Sequence, residues 1–237
     1  MHIDRSAWYI TRLSKKENHT MTNGMNPTPA DQFAQTGQEK EPMLLLDTTG
    51  SMNFGTSEND STPRRDTIRE AISIIVTRLA AADSQAGKEA EGGGLRTVTF
   101  ADGQAHDIGD LNPNNLQQKW SRIHWGGGTR IMPGFNTLLK TYTDEFGQEP
   151  PAERPLLLAL IITDGEAEDT DLFKNTVARA AGSMYAVLAI IGYGPEHDRA
   201  LQAYQEVEAQ NAHVKVMPFA GETDPEKIAS ALLRMIE

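Results

Sequence analysis

The chain has 237 residues, 38% of them hydrophobic and none of them cysteine. A chain of this length can bury a substantial core. The absence of cysteine excludes disulfides, thiol catalysis and cysteine-ligated metals. The formal net charge is −11, from 22 basic and 33 acidic residues, and such a charge repels phosphate backbones. No apolar run reaches the roughly 20 residues needed for a membrane span. We therefore expect neither nucleic acid nor membrane as a partner, and, without an N-terminal secretory signal, a cytoplasmic location.

Residues 1–41 differ in composition from the rest of the chain. They are rich in Asn, Thr, Gln and Glu and lack helical or strand periodicity over most of their length. This composition predicts a flexible tail. An apolar segment at 8–13 could dock elsewhere, or the tail could be an upstream extension of a reading frame that starts at Met21 or Met25. The prediction is a tail over 1–41 followed by one domain over 42–237.

Strand-like and helix-like segments alternate beyond the tail. The first is an apolar run that ends in Asp47 and a turn, and it predicts a buried strand. A helix follows at Ser61-Thr62-Pro63, where a hydroxyl cap precedes a proline. Further strands are predicted at 95–100, 105–111, 156–162, 184–191 and 214–219, and further helices at 131–142, from 169, at 197–210 and at 224–236.

This alternation predicts an α/β fold: a doubly wound, mostly parallel central sheet with helices on both faces. The segment 105–111 follows a short turn after the preceding strand and predicts one antiparallel edge strand. The segment 156–162 is apolar at every position, as expected of a central strand that is covered on both faces.

Three polar side chains follow the first predicted strand at alternate positions: Asp47, Thr49 and Ser51. One carboxylate and two hydroxyls that converge in a tight turn form a set of oxygen ligands, which suits a hard divalent cation better than zinc. Ligands bind such sheets at the carboxyl ends of strands near the point where strand order reverses. Asp164, which follows the strand at 156–162, is expected to reach the same edge, and Thr129 arrives there on a glycine-rich loop.

Together, these three segments resemble the metal-ion-dependent adhesion site of von Willebrand factor type A (vWA) domains. Asp47, Thr49 and Ser51 match the family's first motif, Thr129 the threonine of its second, and Asp164 the aspartate of its third. The family more often has serine where Thr49 stands, and threonine keeps the hydroxyl. The resemblance covers roughly residues 42–237. Within the family, the sequence is most similar to small intracellular bacterial members.

The resemblance implies a Rossmann-like vWA fold and a protein-binding module that is not an enzyme. The five matching residues would hold Mg²⁺, or Mn²⁺ in its place, and an Asp or Glu of a protein partner would complete the metal shell. Three acidic residues after the third motif, at positions 166, 168 and 169, would either steer basic surroundings towards the site or serve as helix-start and surface charges.

Two alternatives remain open from the sequence. The first is a metal-dependent hydrolase or phosphatase with Asp47 as the nucleophile. Such enzymes have an aspartate as general acid where Thr49 stands, and the Thr49 hydroxyl does not titrate near neutrality. A phosphatase would also need a lysine near the second motif to offset the phosphate charge. Here Arg130 follows Thr129 and is a poor substitute for that lysine. The second alternative is a degenerate vWA domain that binds partners through other surfaces.

Overall fold

The computed structural model describes residues 39–85, 94–180 and 182–236. Residues 1–38 lie outside this part, so the flexible tail stays a prediction, and β1 begins at the second described residue. The strands are β1 (Lys40–Asp47), β2 (Gly55–Ser57), β3 (Asp60–Pro63), β4 (Leu95–Ala101), β5 (Gln104–Leu111), β6 (Leu156–Thr163), β7 (Met184–Gly192) and β8 (Val214–Ala220). The helices are α1 (Arg64–Gln85), α2 (Leu116–Trp120), α3 (Ile131–Phe146), α4 (Thr170–Arg179), α5 (Pro195–Gln210) and α6 (Pro225–Ile236).

Six strands form one sheet in the order β5-β4-β1-β6-β7-β8, and β2 and β3 form a separate hairpin. All neighbours in the large sheet are parallel except β4 and β5, which pair antiparallel at the edge. The fold class and the antiparallel edge strand are thus confirmed. Strand order reverses between β1 and β6, which lie side by side at the centre of the sheet.

The two faces of the sheet are covered by different helices. Leu44 and Leu46 of β1 pack with α1, α2 and α6 on one face, while Met43 and Leu45 pack with α3, α4 and α5 on the other. β6 is buried at all of its positions, because both of its faces are covered. No helix among the described residues is long and apolar enough to cross a membrane.

The segment between the first motif and α1 differs from the sequence prediction. Residues 55–63 form the β2–β3 hairpin, and α1 begins at Arg64 rather than at the predicted cap around Ser61. Pro63 ends β3, so the proline lies immediately before the helix instead of opening it. The five-residue helix α2 was also not predicted.

Candidate metal centre

The candidate site lies at the topological switch point of the sheet. Asp47 is the last residue of β1, and Asp164 directly follows β6. Leu46 pairs with Ile162 in the sheet. The residues that follow them, Asp47 and Thr163, therefore also lie side by side. The carboxyl ends of two parallel strands at the point where their connections diverge form the crevice in which α/β sheets bind ligands.

The Asp47 carboxylate is fully buried and held from two sides. Its Oδ1 accepts the Thr49 backbone N–H at 2.8 Å, and its Oδ2 accepts the Thr163 hydroxyl at 2.6 Å. Burial, followed by the negative charge of Asp164, raises the pKa of Asp47 to about 7, although hydrogen bonds from Thr163 and Thr49 act in the opposite direction. Among the described residues, no Lys, Arg or His forms an ion pair with this buried carboxylate.

A short 3₁₀ helix, Gly50–Asn53, turns the chain so that the two hydroxyls of the first motif meet. The Thr49 and Ser51 hydroxyl oxygens lie 3.2 Å apart, and Ser51 donates to Oδ1 of Asp164 at 2.8 Å. The structure therefore brings Asp47, Thr49, Ser51 and Asp164 into one compact network of oxygen atoms.

The glycine-rich loop is fastened against the turn that follows β1. Gly126 donates its N–H to the Thr48 carbonyl at 2.9 Å, and Gly50 donates to the Gly127 carbonyl at 3.2 Å. Gly127 has a φ of +82°, and a Cβ there would lie 2.5 Å from Cβ of Asp102. Only glycine allows this close approach of the loop.

Thr129 follows this loop and lies beside the third motif. Its carbonyl accepts the N–H of Glu168 at 3.0 Å, and its hydroxyl oxygen lies 3.7 Å from where a Cβ on Gly165 would stand. The Thr129 hydroxyl is therefore next to the turn that carries Asp164. It is not itself part of the hydrogen-bonded network of the other four predicted ligands.

Arg64 is a site residue that sequence reasoning missed. Its Nη1 donates to Oδ2 of Asp164 at 2.7 Å, with side chains only 8% and 0% exposed, and its Nε donates to the Gly55 carbonyl at 3.2 Å. The two charged residues are 100 positions apart. The only sequence signal is a pair of arginines that directly follows Pro63, and nothing in the pattern indicates that the first points inward.

Gly192 at the end of β7 makes room for this arginine. Its φ is +119°, and a Cβ there would come within 2.9 Å of the Arg64 guanidinium carbon. We expect Gly192→Ala to lower the free energy of unfolding by about 2–4 kcal/mol, through backbone strain and crowding together. Gly182→Ala is the matched control, because Gly182 also has positive φ (+86°), but a Cβ there would meet no heavy atom of the described residues within 4 Å beyond its chain neighbours. Urea denaturation measures both, and equal losses would contradict a specific role in holding Arg64.

Two of the three acidic residues after the third motif, Glu168 and Asp169, have structural partners. Glu168 forms an exposed ion pair with Arg130 at 2.8 Å. Asp169 accepts the backbone N–H groups of Ile131 and Met132 at 2.9 and 3.0 Å, so it caps the start of α3 from another segment. The structure thus favours the reading of helix-start and surface charges over that of a free acidic rim.

A cavity of about 470 Å³ borders the glycine-rich loop. Its wall includes Lys119, Arg122, His106 and His124, together with Asp102. Lys119 Nζ donates to two carbonyls of β5, whereas the Arg122 guanidinium has no hydrogen bond or ion pair with a described residue. This protein of net charge −11 therefore carries a local concentration of basic side chains next to the candidate site.

The ligand set fits a hard divalent cation. Within the described ranges, no group of three or more His, Asp or Glu side chains could hold a metal, and the neutral oxygens beside the two aspartates here are the Thr49 and Ser51 hydroxyls. Asp47, Thr49, Ser51 and Asp164 offer oxygens only, which suits magnesium or manganese. The buried, uncompensated Asp47 carboxylate is the observation that favours a cation at this position.

No protein-family model and no curated protein matches the sequence. Solved structures do resemble the fold. A mutant of the PilB minor pilin from Streptococcus sanguinis matches with a TM-score of 0.55 at 12% identity, over 85% of this chain and 62% of that one. The vWF domain of the type V pili tip protein Mfa5 from Porphyromonas gingivalis matches with 0.51 at 12% identity, over 84% and 97%.

A von Willebrand factor type A protein from Catenulispora acidiphila matches with a TM-score of 0.51 at 19% identity, over 84% of this chain and 42% of that one. The chain thus spans less than two thirds of the pilin and of the Catenulispora protein. At these identities the likeness establishes the fold and leaves function to the site itself. The strand order, the edge strand and these neighbours agree that the chain has the fold of a von Willebrand factor type A domain.

Proposed function

We propose that this protein is a divalent-metal-dependent protein-binding module and not an enzyme. Mg²⁺, or Mn²⁺ in its place, would be held by Asp47, Thr49, Ser51, Thr129 and Asp164. The observation that carries the proposal is the convergence of four of these side chains at the switch point of the sheet, around a buried carboxylate that forms no ion pair with a described residue.

Each protein group has a defined role in this proposal. The Asp47 carboxylate is kept in place by the Thr49 N–H and the Thr163 hydroxyl, and its complete burial excludes bulk water from one side of the centre. Thr49 and Ser51 supply neutral oxygens that do not reduce the charge of a cation. A bound ion would supply an electrophilic coordination position, which an Asp or Glu of a protein partner would fill.

The surroundings suit an acidic partner. The basic cavity wall with Lys119 and Arg122 borders the glycine-rich loop, so it would attract a segment that presents a carboxylate. Phe54, which follows the 3₁₀ helix that carries Ser51, is 58% exposed. Exposed aromatic side chains are frequent anchors of protein interfaces, and this one lies three residues from a proposed ligand.

Thermal unfolding with excess Mg²⁺ and with chelator tests the metal centre. A ligand at about a hundred times its dissociation constant stabilises the folded state by roughly 2.7 kcal/mol, so the wild-type midpoint should rise by several degrees. Ser51→Ala should lose most of this rise, because it removes a ligand oxygen from a half-buried position. Thr49→Ala should act in the same direction.

Ser84→Ala is the control for these variants. Ser84 is exposed on α1, and its hydroxyl donates to the Ala80 carbonyl one turn earlier. Its magnesium response should equal that of the wild type. A response that persists in Ser51→Ala, or that is absent from the wild type at millimolar Mg²⁺ and Mn²⁺, would contradict the proposed metal centre.

A further inference from the structure

The function proposed above gives Asp164 a role as a metal ligand but gives none to Arg64, its buried ion-pair partner. Asp164 directs Oδ1 to the Ser51 hydroxyl at 2.8 Å and Oδ2 to the Arg64 guanidinium at 2.7 Å. One oxygen of this carboxylate therefore faces the proposed metal ligands, and the other faces a fixed cation. Removing two charges from water costs free energy that an ion pair offsets only in part, so this buried pair is weak evidence for stability and points to another role.

The fold holds the guanidinium in this one position. Gly55, at the start of the β2–β3 hairpin, accepts the Arg64 Nε–H, and Gly192 at the end of β7 lies against the guanidinium carbon. The planar group is held from the hairpin, from β7 and from Asp164 at once. Because a guanidinium does not lose its proton in proteins, its positive charge is permanent.

This permanent charge changes the electrostatics of the centre. With both aspartates ionised, Asp47, Asp164 and Arg64 together carry a single negative charge. A divalent ion would turn that into a single positive charge, whereas two aspartates alone would leave a neutral centre. In a buried, low-dielectric setting an excess charge is unfavourable until an anion neutralises it.

We propose that Arg64 is a positioning and charge-balancing residue that couples metal binding to the binding of an anionic ligand. The inference rests on the proposed metal centre and deepens it. Arg64 aims one oxygen of Asp164 at the metal position and keeps the loaded centre one positive charge in excess. The metal alone then binds less tightly than it does with a carboxylate present, and the carboxylate and the metal strengthen each other's binding by the same factor.

The test is isothermal titration of the full chain with MgCl₂ at pH 8, in sodium chloride and in sodium acetate of equal ionic strength. Acetate is the probe for the partner carboxylate. The wild type should bind Mg²⁺ about fivefold or more tightly in acetate than in chloride, within the usual range of coupling between sites. Asp47→Asn serves as the blank, with no binding in either salt.

Arg64→Met should bind Mg²⁺ in chloride about tenfold or more tightly than the wild type, because a nearby positive charge is gone, and acetate should add little. Arg69→Met is the matched control. It removes the same charge from the same helix at a partly exposed pair with Glu70, so its affinities should stay within about twofold of the wild type, as expected for a screened surface charge. Arg64→Lys keeps the charge and should keep the acetate effect.

The outcomes separate this inference from the proposed function. If the wild type binds Mg²⁺ equally in both salts, or if Arg64→Met binds it no more tightly, the metal centre stands and the role of Arg64 is overturned. If neither protein binds Mg²⁺ in either salt, both proposals fail. If Arg64→Met does not fold, the acetate dependence of the wild type and of Arg64→Lys decides the question, and its absence in either overturns the inference.

Discussion

Asp164→Ala is expected to lower the free energy of unfolding by about 3–5 kcal/mol in the absence of any metal, because it leaves a buried charge without its partner. The Arg64 side chain is only 8% exposed, with Gly55 accepting its Nε–H and Gly192 lying against its guanidinium. Ser51 loses a hydrogen-bond acceptor as well. Urea denaturation at pH 8 with chelator measures the change.

Glu168→Ala is the control for this prediction. Glu168 pairs with Arg130 at 2.8 Å, almost the same distance as the Arg64–Asp164 pair, but both side chains are 59% exposed. Because water screens such a surface pair, the free energy of unfolding should be nearly unchanged. Equally small effects in both variants would mean that the buried pair does not persist in solution.

A double-mutant cycle isolates the contribution of the pair. Asp164→Asn keeps the shape of the side chain, and Arg64→Met keeps much of the apolar volume. Each single variant leaves one buried charge uncompensated, whereas the double variant removes both charges. We expect the double variant to be less destabilised than the sum of the two single variants by about 2–3 kcal/mol. Additive losses would indicate that the two residues act independently.

The central elements of the fold were predictable because their sequence reports their environment directly. β6 is apolar at each position from 156 to 162 since both of its faces are covered, and α1 repeats apolar residues at helical spacing since one face lies on the sheet. The turn after β1 has alternating polar residues that meet at the sheet edge. Asp47, Thr49 and Ser51 could therefore be grouped before their contacts were known.

The β2–β3 hairpin and α2 were missed for a physical reason. Both are short, and the hairpin buries little apolar surface: only Thr56 is buried in β2, and no residue is buried in β3. Periodicity needs several repeats to be visible, and five residues of α2 make little more than one turn. Their positions depend on tertiary contacts that local patterns do not record.

Arg64 illustrates the same limit at the candidate site. An arginine at the start of a helix is typical of an exposed position, and burial of this one depends on Asp164 and on glycines at positions 55 and 192. None of these partners lies on α1, the helix that carries Arg64. From sequence alone Asp164 therefore looks only like a metal ligand, whereas the structure gives it a second role in holding a buried cation.

Asp47→Asn is expected to remove the magnesium response and yet to stabilise the protein when metal is absent. The amide oxygen can accept the Thr49 N–H, and the amide nitrogen can donate to the Thr163 hydroxyl. That hydroxyl can in turn donate to the Gly165 carbonyl, 3.3 Å away. Every hydrogen bond is kept, while a buried negative charge next to Asp164 is removed.

The sign of the pH dependence follows from the raised pKa of Asp47. Burial and the charge of Asp164 raise this pKa from 3.8 to about 7, so the folded state favours the protonated carboxyl. The stabilisation that the protonated Asp47 carboxyl gives the folded state is fully present below about pH 4. It is lost as the pH rises towards 7 and is absent above that. Without metal, the advantage of Asp47→Asn should therefore grow from acid to neutral pH and level off at a few kcal/mol near pH 8.

Denaturation of both proteins between pH 5 and pH 8.5, with chelator and with Mg²⁺, measures this effect. In the wild type a bound cation would balance the ionised carboxylate, so the magnesium-induced stabilisation should be largest near pH 8 and decline below pH 7, where protons compete for Asp47. Asp171→Asn, at an exposed position of α4, should show neither trend. A wild type that is more stable than Asp47→Asn at pH 8 with chelator would mean that the Asp47 charge is already balanced within the protein, and the argument for a cation beside it would fail.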